Sequence, residues 1–163
     1  MAENLLISVE NKEQAYQTLL PQIESLLIGE TSLIANLANV CSAIHMTFGH
    51  LWVGFYLVDE TQLVLGPFQG PIACTRINKG KGVCGTSWSE NKTVIVKNVN
   101  NYPDHIACSS SSISEIVVPF YSATGAFKGV LDVDSINEGE FDETDQLHLE
   151  KLVKIISKTI LNS

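Results

Sequence analysis

Three cysteines carry the first chemical signal: Cys74, Cys84 and Cys108, ten and 24 residues apart. Cys108 runs directly into Ser109, Ser110, Ser111 and Ser112, and Glu115 then opens an apolar run. A thiol beside small polar residues is placed like a nucleophile or redox centre rather than a core cysteine, and nearby thiols could resolve what it forms. There is no C-x-x-C, which disfavours both a zinc ribbon and a thioredoxin-like active site. A metal site from Cys74, Cys84, Cys108 and His105 has no ligand-spacing motif behind it. His105, three residues before Cys108, invites a Cys–His dyad. The irregular loop gives that spacing no common face, and an exposed or structural histidine is the preferred reading. Cys41 shares a helical stripe with Leu37, Ile44 and Phe48 and reads as a small core hydrophobe.

Acids and aromatics form the second signal. In the segment from Phe127 to Ser135 the alternation puts Val130, Asp132 and Asp134 on one face and Phe127, Gly129, Leu131 and Val133 on the other. Two carboxylates at i and i+2 on one strand face repel each other unless something binds them. Glu115 is a third candidate. Trp52 and Tyr56 share a face with Gly54, while Val53, Phe55 and Leu57 take the opposite one. Core packing accounts for a lone aromatic pair, and a wet strand end accounts for lone acids. Together they suggest an aromatic wall facing carboxylates, suited to a small cationic or amine ligand. Backbone N–H groups around Ser109 to Ser114 could take an anion, so a zwitterionic amino acid would satisfy both ends; a plain flexible loop is the alternative.

At an ordinary thiol pKa little of Cys108 is thiolate at neutral pH, and nearby carboxylates reduce that further. The acids therefore fit better as proton donors or as ligands for a cation. Reduction of a sulfoxide needs both functions. A thiolate attacks sulfur, an acid protonates the departing oxygen, and the resulting sulfenic acid is closed to a disulfide by a second thiol.

The elements that must position these groups follow from periodicity. Residues 11 to 29 read as a helix through Leu19, Ile23, Leu26 and Leu27, with Pro21 expected to kink or divide it. Thr31 or Ser32 can cap the next helix. Strands are expected at 51–58, 62–66, 71–76, 93–96, 115–120 and 127–135. One or two helical turns follow the Gly80–Gly82 turn, and a polar loop spans 98–114. The last helix begins near Asp142, with Leu149, Leu152, Val153, Ile156 and Ile160 as its stripe. The implied class is α+β: a central, mostly antiparallel sheet, the N- and C-terminal helices on one face and a loop-capped pocket on the other.

The 163 residues are 45% hydrophobic and carry net charge −8, enough for one core and a single domain. The acidic balance and the lack of a Lys/Arg cluster argue against nucleic acid and anionic membranes. No apolar run spans a bilayer and no basic-then-apolar leader opens the chain, so a cytoplasmic location is expected, with the thiols reduced at rest.

The motifs GVCGTSW (82–88), HIACSSSSISEIVVP (105–119) and GVLDVDS (129–135) resemble those of the free methionine-(R)-sulfoxide reductases, a single-domain branch of the GAF family, over nearly the whole chain. The resemblance implies that Cys108 attacks, that Cys74 resolves it as a disulfide and that Cys84 helps relay the disulfide to the reductant. It also implies that Trp52 and Tyr56 surround the methyl-sulfoxide end while Glu115, Asp132 and Asp134 hold the amine and sulfoxide. Free L-methionine-(R)-sulfoxide would be the substrate and thioredoxin the electron donor, with no metal or organic cofactor; family members often form homodimers. A non-catalytic small-molecule-sensing GAF module and a thiol redox switch are the alternatives.

Overall fold

The computed structural model describes residues 4–6, 10–106 and 108–159. Two helices open it, α1 (Lys12–Leu27) and α2 (Leu33–Phe48). Strands β1 (Trp52–Asp59), β2 (Gln62–Gln69) and β3 (Arg76–Asn78) follow, then α3 (Gly82–Glu90) and β4 (Val94–Val96). The long loop contains a short 3-10 turn, and β5 (Ser114–Tyr121), β6 (Phe127–Ser135) and α4 (Glu143–Thr159) complete the fold. The six strands form one sheet in the order β3-β2-β1-β6-β5-β4, every neighbour antiparallel.

Local chemistry sets the helix ends. Asn11 accepts a hydrogen bond from the Gln14 N–H to start α1, and Ser32 accepts from the Ala35 N–H to start α2. Gly49 ends α2 in the left-handed region at φ 67°, where the absence of a Cβ removes the steric cost. Asp142 and Asp145 cap α4 reciprocally: Asp142 Oδ1 accepts from the Thr144 and Asp145 N–H groups, and Asp145 Oδ2 accepts from the Asp142 N–H.

Helices α1, α2 and α4 bury their stripes against Val53, Phe55, Ile116, Val118, Phe120, Leu131 and Val133 on one sheet face. The opposite face carries Trp52, Tyr56, Val117 and Val130 and is covered by α3 and loops. Cys41 is buried in the first core, where desolvation pushes its thiol up to about 12, as expected of a packing residue.

Three expectations change. Pro21 does not divide α1, which runs unbroken because Leu19, Leu20, Ile23 and Leu27 are buried on either side of it and packing outweighs the lost backbone bond. The strand expected at 71–76 is instead Arg76–Asn78, while β2 extends to Gln69. Residues 70–75 cross the pocket, held by side chains: Trp52 Nε1–H donates to Pro71 O at 3.1 Å and Tyr56 O–H to Cys74 O at 2.9 Å. Phe127 lies on the α3 side, stacked on Trp88, because a register shift at Phe120/Tyr121 opposite Gly129 breaks the alternation. Ile160 lies outside the described residues.

Candidate active site

The antiparallel register lines the acids up with the aromatics. Trp52 pairs with Asp134 and Asp134 with Glu115, forming one row across β1, β6 and β5; Gly54, Asp132 and Val117 form the next. A Cβ on Gly54 would lie 2.2 Å from the Trp52 ring and 2.6 Å from Phe68 Cβ. Glycine there lets the indole lie across the sheet, stacked on Phe68 at 5.4 Å and Tyr56 at 5.8 Å. The pocket of about 580 Å³, counting its open mouth, has Trp52, Tyr56, Cys84, Cys108, Glu115, Asp132 and Asp134 in its wall. Cys74 is just outside that wall, bonded to Cys108 as a disulfide, and both cysteines are partly exposed. The structure thus brings all eight candidate residues together. The four-residue set of Cys74, Cys84, Cys108 and His105 does not gather as a metal site, because two of its thiols are consumed in the disulfide.

Burial and mutual repulsion dominate the electrostatics. Glu115 and Asp132 are buried, and desolvation, then neighbouring negative charge, pushes both well above the ordinary carboxylate range. Burial pushes Asp134 up to about 6, partly opposed by the hydrogen bond it accepts from Ser112 Oγ. Carboxylates packed together in a low-dielectric floor titrate as one coupled set, each opposing ionisation of the others. Asp132 Oδ1 is buried with no hydrogen-bond partner, the mark of a group that awaits a donor. Cys84 is buried beside them, its Sγ 4.0 Å from Glu115 Oε1, and burial and then the acids hold its thiol protonated.

The opposite potential enters at the rim. Helix α3 begins at the pocket wall with Gly82, Val83 and Cys84, whose N–H groups precede the first intrahelical bond, and Lys81 lines the same side. The serine loop supplies less than expected, since the Ser111 N–H is taken by Ser109 Oγ and the Ile113 N–H by Ser135 O. Ser109 and Ser112 face the pocket. His105 was expected to be an exposed or structural histidine rather than half of a Cys–His dyad. It lines the pocket, largely buried, with Nε2 3.9 Å from Glu115 Oε2, and desolvation lowers its pKa. Only its position three residues before Cys108 signalled this. Gly54 could have been flagged as the gap in an aromatic strand face.

Comparisons with known proteins agree with this geometry. The GAF domain family matches residues 30–160. A Dictyostelium discoideum protein described as GAF domain-containing protein A is 59% identical, over 96% of this chain and 99% of its own. The free methionine-R-sulfoxide reductase of Saccharomyces cerevisiae is 45% identical, over 91% of this chain and 87% of its own. The crystal structure of the Neisseria meningitidis free methionine-R-sulfoxide reductase in complex with its substrate superimposes with a TM-score of 0.93 at 53% identity, covering 96% of this chain and 95% of that one. The chain therefore belongs to the GAF domain family, and within it to the free methionine-(R)-sulfoxide reductases.

Proposed function

We propose that this protein reduces free L-methionine-(R)-sulfoxide to L-methionine, with Cys108 as the attacking thiol, Cys74 as the resolving one and a dithiol protein of the thioredoxin type as electron donor. The observation that carries the reading is the convergence of three mutually repelling carboxylates, Glu115, Asp132 and Asp134, each held above the ordinary carboxylate range, with an aromatic wall and the Cys74–Cys108 pair in one pocket.

Each part has a task. An ionised carboxylate accepts the substrate ammonium, and the unpartnered Asp132 Oδ1 is a ready acceptor. The N-terminus of α3 and Lys81 attract the substrate carboxylate. Trp52 and Tyr56 pack on the methyl-sulfoxide end. A peptide-bound sulfoxide has amides at both ends; it would strand the buried acids and is rejected.

The Cys108 thiolate attacks the sulfoxide sulfur while a protonated carboxyl gives its proton to the oxygen. The S–O bond to the substrate breaks, the oxygen ends on Cys108 as sulfenic acid, and methionine leaves. In sum, a thiol and a sulfoxide become a sulfenic acid and a thioether. The Cys74 thiol then displaces hydroxide from Cys108, which leaves as water with a proton from the site, and the disulfide is closed. Two electrons and two protons from the external dithiol restore both thiols, which suits a reducing, cytoplasmic setting. Cys84 is buried and protonated beside the acids, so direct reduction of the partly exposed disulfide is the simpler route than relay through Cys84.

A thioredoxin-coupled NADPH assay tests the reading with the free R epimer, the free S epimer and a peptide-bound sulfoxide. Consumption with the free R epimer alone is expected. Equal rates with the peptide-bound sulfoxide would refute the zwitterion pocket, and no rate with any of the three, using folded and reduced protein, would refute the reductase.

A further inference from the structure

Cys84 has a second possible partner besides sulfur chemistry. Its Sγ and one carboxylate oxygen each from Glu115 and Asp132 lie within 4.8 Å of one another, and all three residues are buried. Asp132 is 6% exposed and its Oδ1 has no hydrogen-bond donor, so the cluster contains an acceptor with unmet demand, aimed into the pocket. His105 Nε2 stands 3.9 Å from Glu115 at the edge of the set. A thiolate with two carboxylates suits a borderline-soft divalent cation, and zinc–ligand bonds of about 2.0–2.3 Å require the three donors to close by roughly 1 Å, within reach of side-chain rotation.

We propose that Cys84, Glu115 and Asp132 form an inhibitory binding site for a thiophilic divalent cation such as Zn²⁺, in the part of the pocket that otherwise holds the substrate ammonium. The cation replaces the thiol proton of Cys84, neutralises the repulsion between the two acids and satisfies Asp132 Oδ1. A water molecule or His105 completes the coordination. Cys74 and Cys108 are not ligands, so the site exists whether or not they are joined. Zinc then blocks the pocket in both redox states, and a chelator, not a dithiol reductant, restores it.

Metal binding stands apart from the sulfoxide reductase reading; the inhibition rests on it. The first measurement is an equilibrium titration of the disulfide-containing protein with Zn²⁺ against a chromophoric chelator, beside Cys84→Ser and Asp132→Asn variants whose folding is checked by thermal melts. One zinc per chain at micromolar affinity or tighter is expected. Affinity should weaken by at least about tenfold in each variant. Zinc that binds the Cys84→Ser variant as tightly as the parent, or no binding by the parent, overturns the proposal. With reduced enzyme, zinc should raise the apparent KM for the free sulfoxide and leave kcat unchanged. Bound zinc that leaves KM unchanged overturns the inhibitory role. An enzyme inactive without zinc would fail the reductase reading and leave the titration result standing.

Discussion

Replacing Asp134 by asparagine should make the protein more stable and less active, and the gain in stability should disappear in acid. Burial holds the Asp134 carboxyl up at about 6, against an ordinary 3.8. The folded state therefore keeps its proton longer than the unfolded chain does. Below the unfolded value both states are protonated and the group costs nothing. As pH rises from 3.8 to about 6, the unfolded chain gains by ionising first and stability falls; above that range the cost is constant. A rise of roughly two pH units, at about 1.4 kcal/mol each, bounds the cost near 3 kcal/mol. Asp134 retains some exposure, and solvent screening brings the expected gain to about 1–3 kcal/mol. Asparagine keeps the shape and still offers an oxygen to the Ser112 hydroxyl. For a chain of this size that gain is a melting point about 3–10 °C higher at neutral pH. Denaturant or thermal melts of parent and variant from neutral pH down to the lowest pH at which both fold would check it. Turnover of free sulfoxide should fall by about 10²-fold through loss of an acid. A variant destabilised at neutral pH, or stabilised equally across the whole pH range, would refute the account of a carboxylate held against its electrostatic preference.

Other outcomes follow from the same geometry. Cys108→Ser should abolish turnover yet still bind free sulfoxide in calorimetry, whereas Cys74→Ser should support a single turnover and release about one methionine per chain in a rapid-quench experiment. Trp52→Ala removes the ring that stacks on Phe68 and Tyr56, and should raise KM by about tenfold or more, measured in the coupled assay. Asp145 is fully buried and accepts from Lys12 Nζ at 2.6 Å and Tyr16 O–H at 2.8 Å. Asp145→Ala should cost about 3–5 kcal/mol and lower the melting point by about 10 °C, with KM for the sulfoxide unchanged in the folded fraction.

Much of the site was legible because strand alternation is a strong constraint. Trp52 with Tyr56, and Asp132 with Asp134, could be assigned to one side of the sheet from their i, i+2 and i, i+4 spacing, and cross-strand pairing then brought Glu115 beside Asp134. Alternation failed where the ladder is irregular. Phe127 changes side across the register shift at Phe120/Tyr121, where a Cβ on Gly129 would lie 2.1 Å from Tyr56 O. Residues 70–75 have strand-like composition, yet they are fixed by the Trp52 indole, the Tyr56 hydroxyl and the Cys74–Cys108 disulfide, with Thr75 O accepting from the Leu65 N–H at the edge of β2, and no local pattern reveals these ties. His105 was hard to place for a related reason: it sits on an irregular loop and approaches Glu115 only through tertiary structure. Pro21 shows the opposite limit, since local propensity pointed to a break that buried leucines on both sides overrode.

Helix α1 lies wholly before residue 30, where the match to the GAF domain family begins, although the full-length relatives align through it. It nevertheless buries Tyr16, Leu19, Ile23 and Leu27 in the principal core, and its Lys12 and Tyr16 satisfy Asp145 in α4. A fragment cut at residue 30 would strip that core of one wall and leave the buried Asp145 at the head of the last helix without its Lys12 and Tyr16 partners. The unit that folds is thus larger than the span the GAF domain family matches, and its first helix is clasped to its last across almost the whole chain.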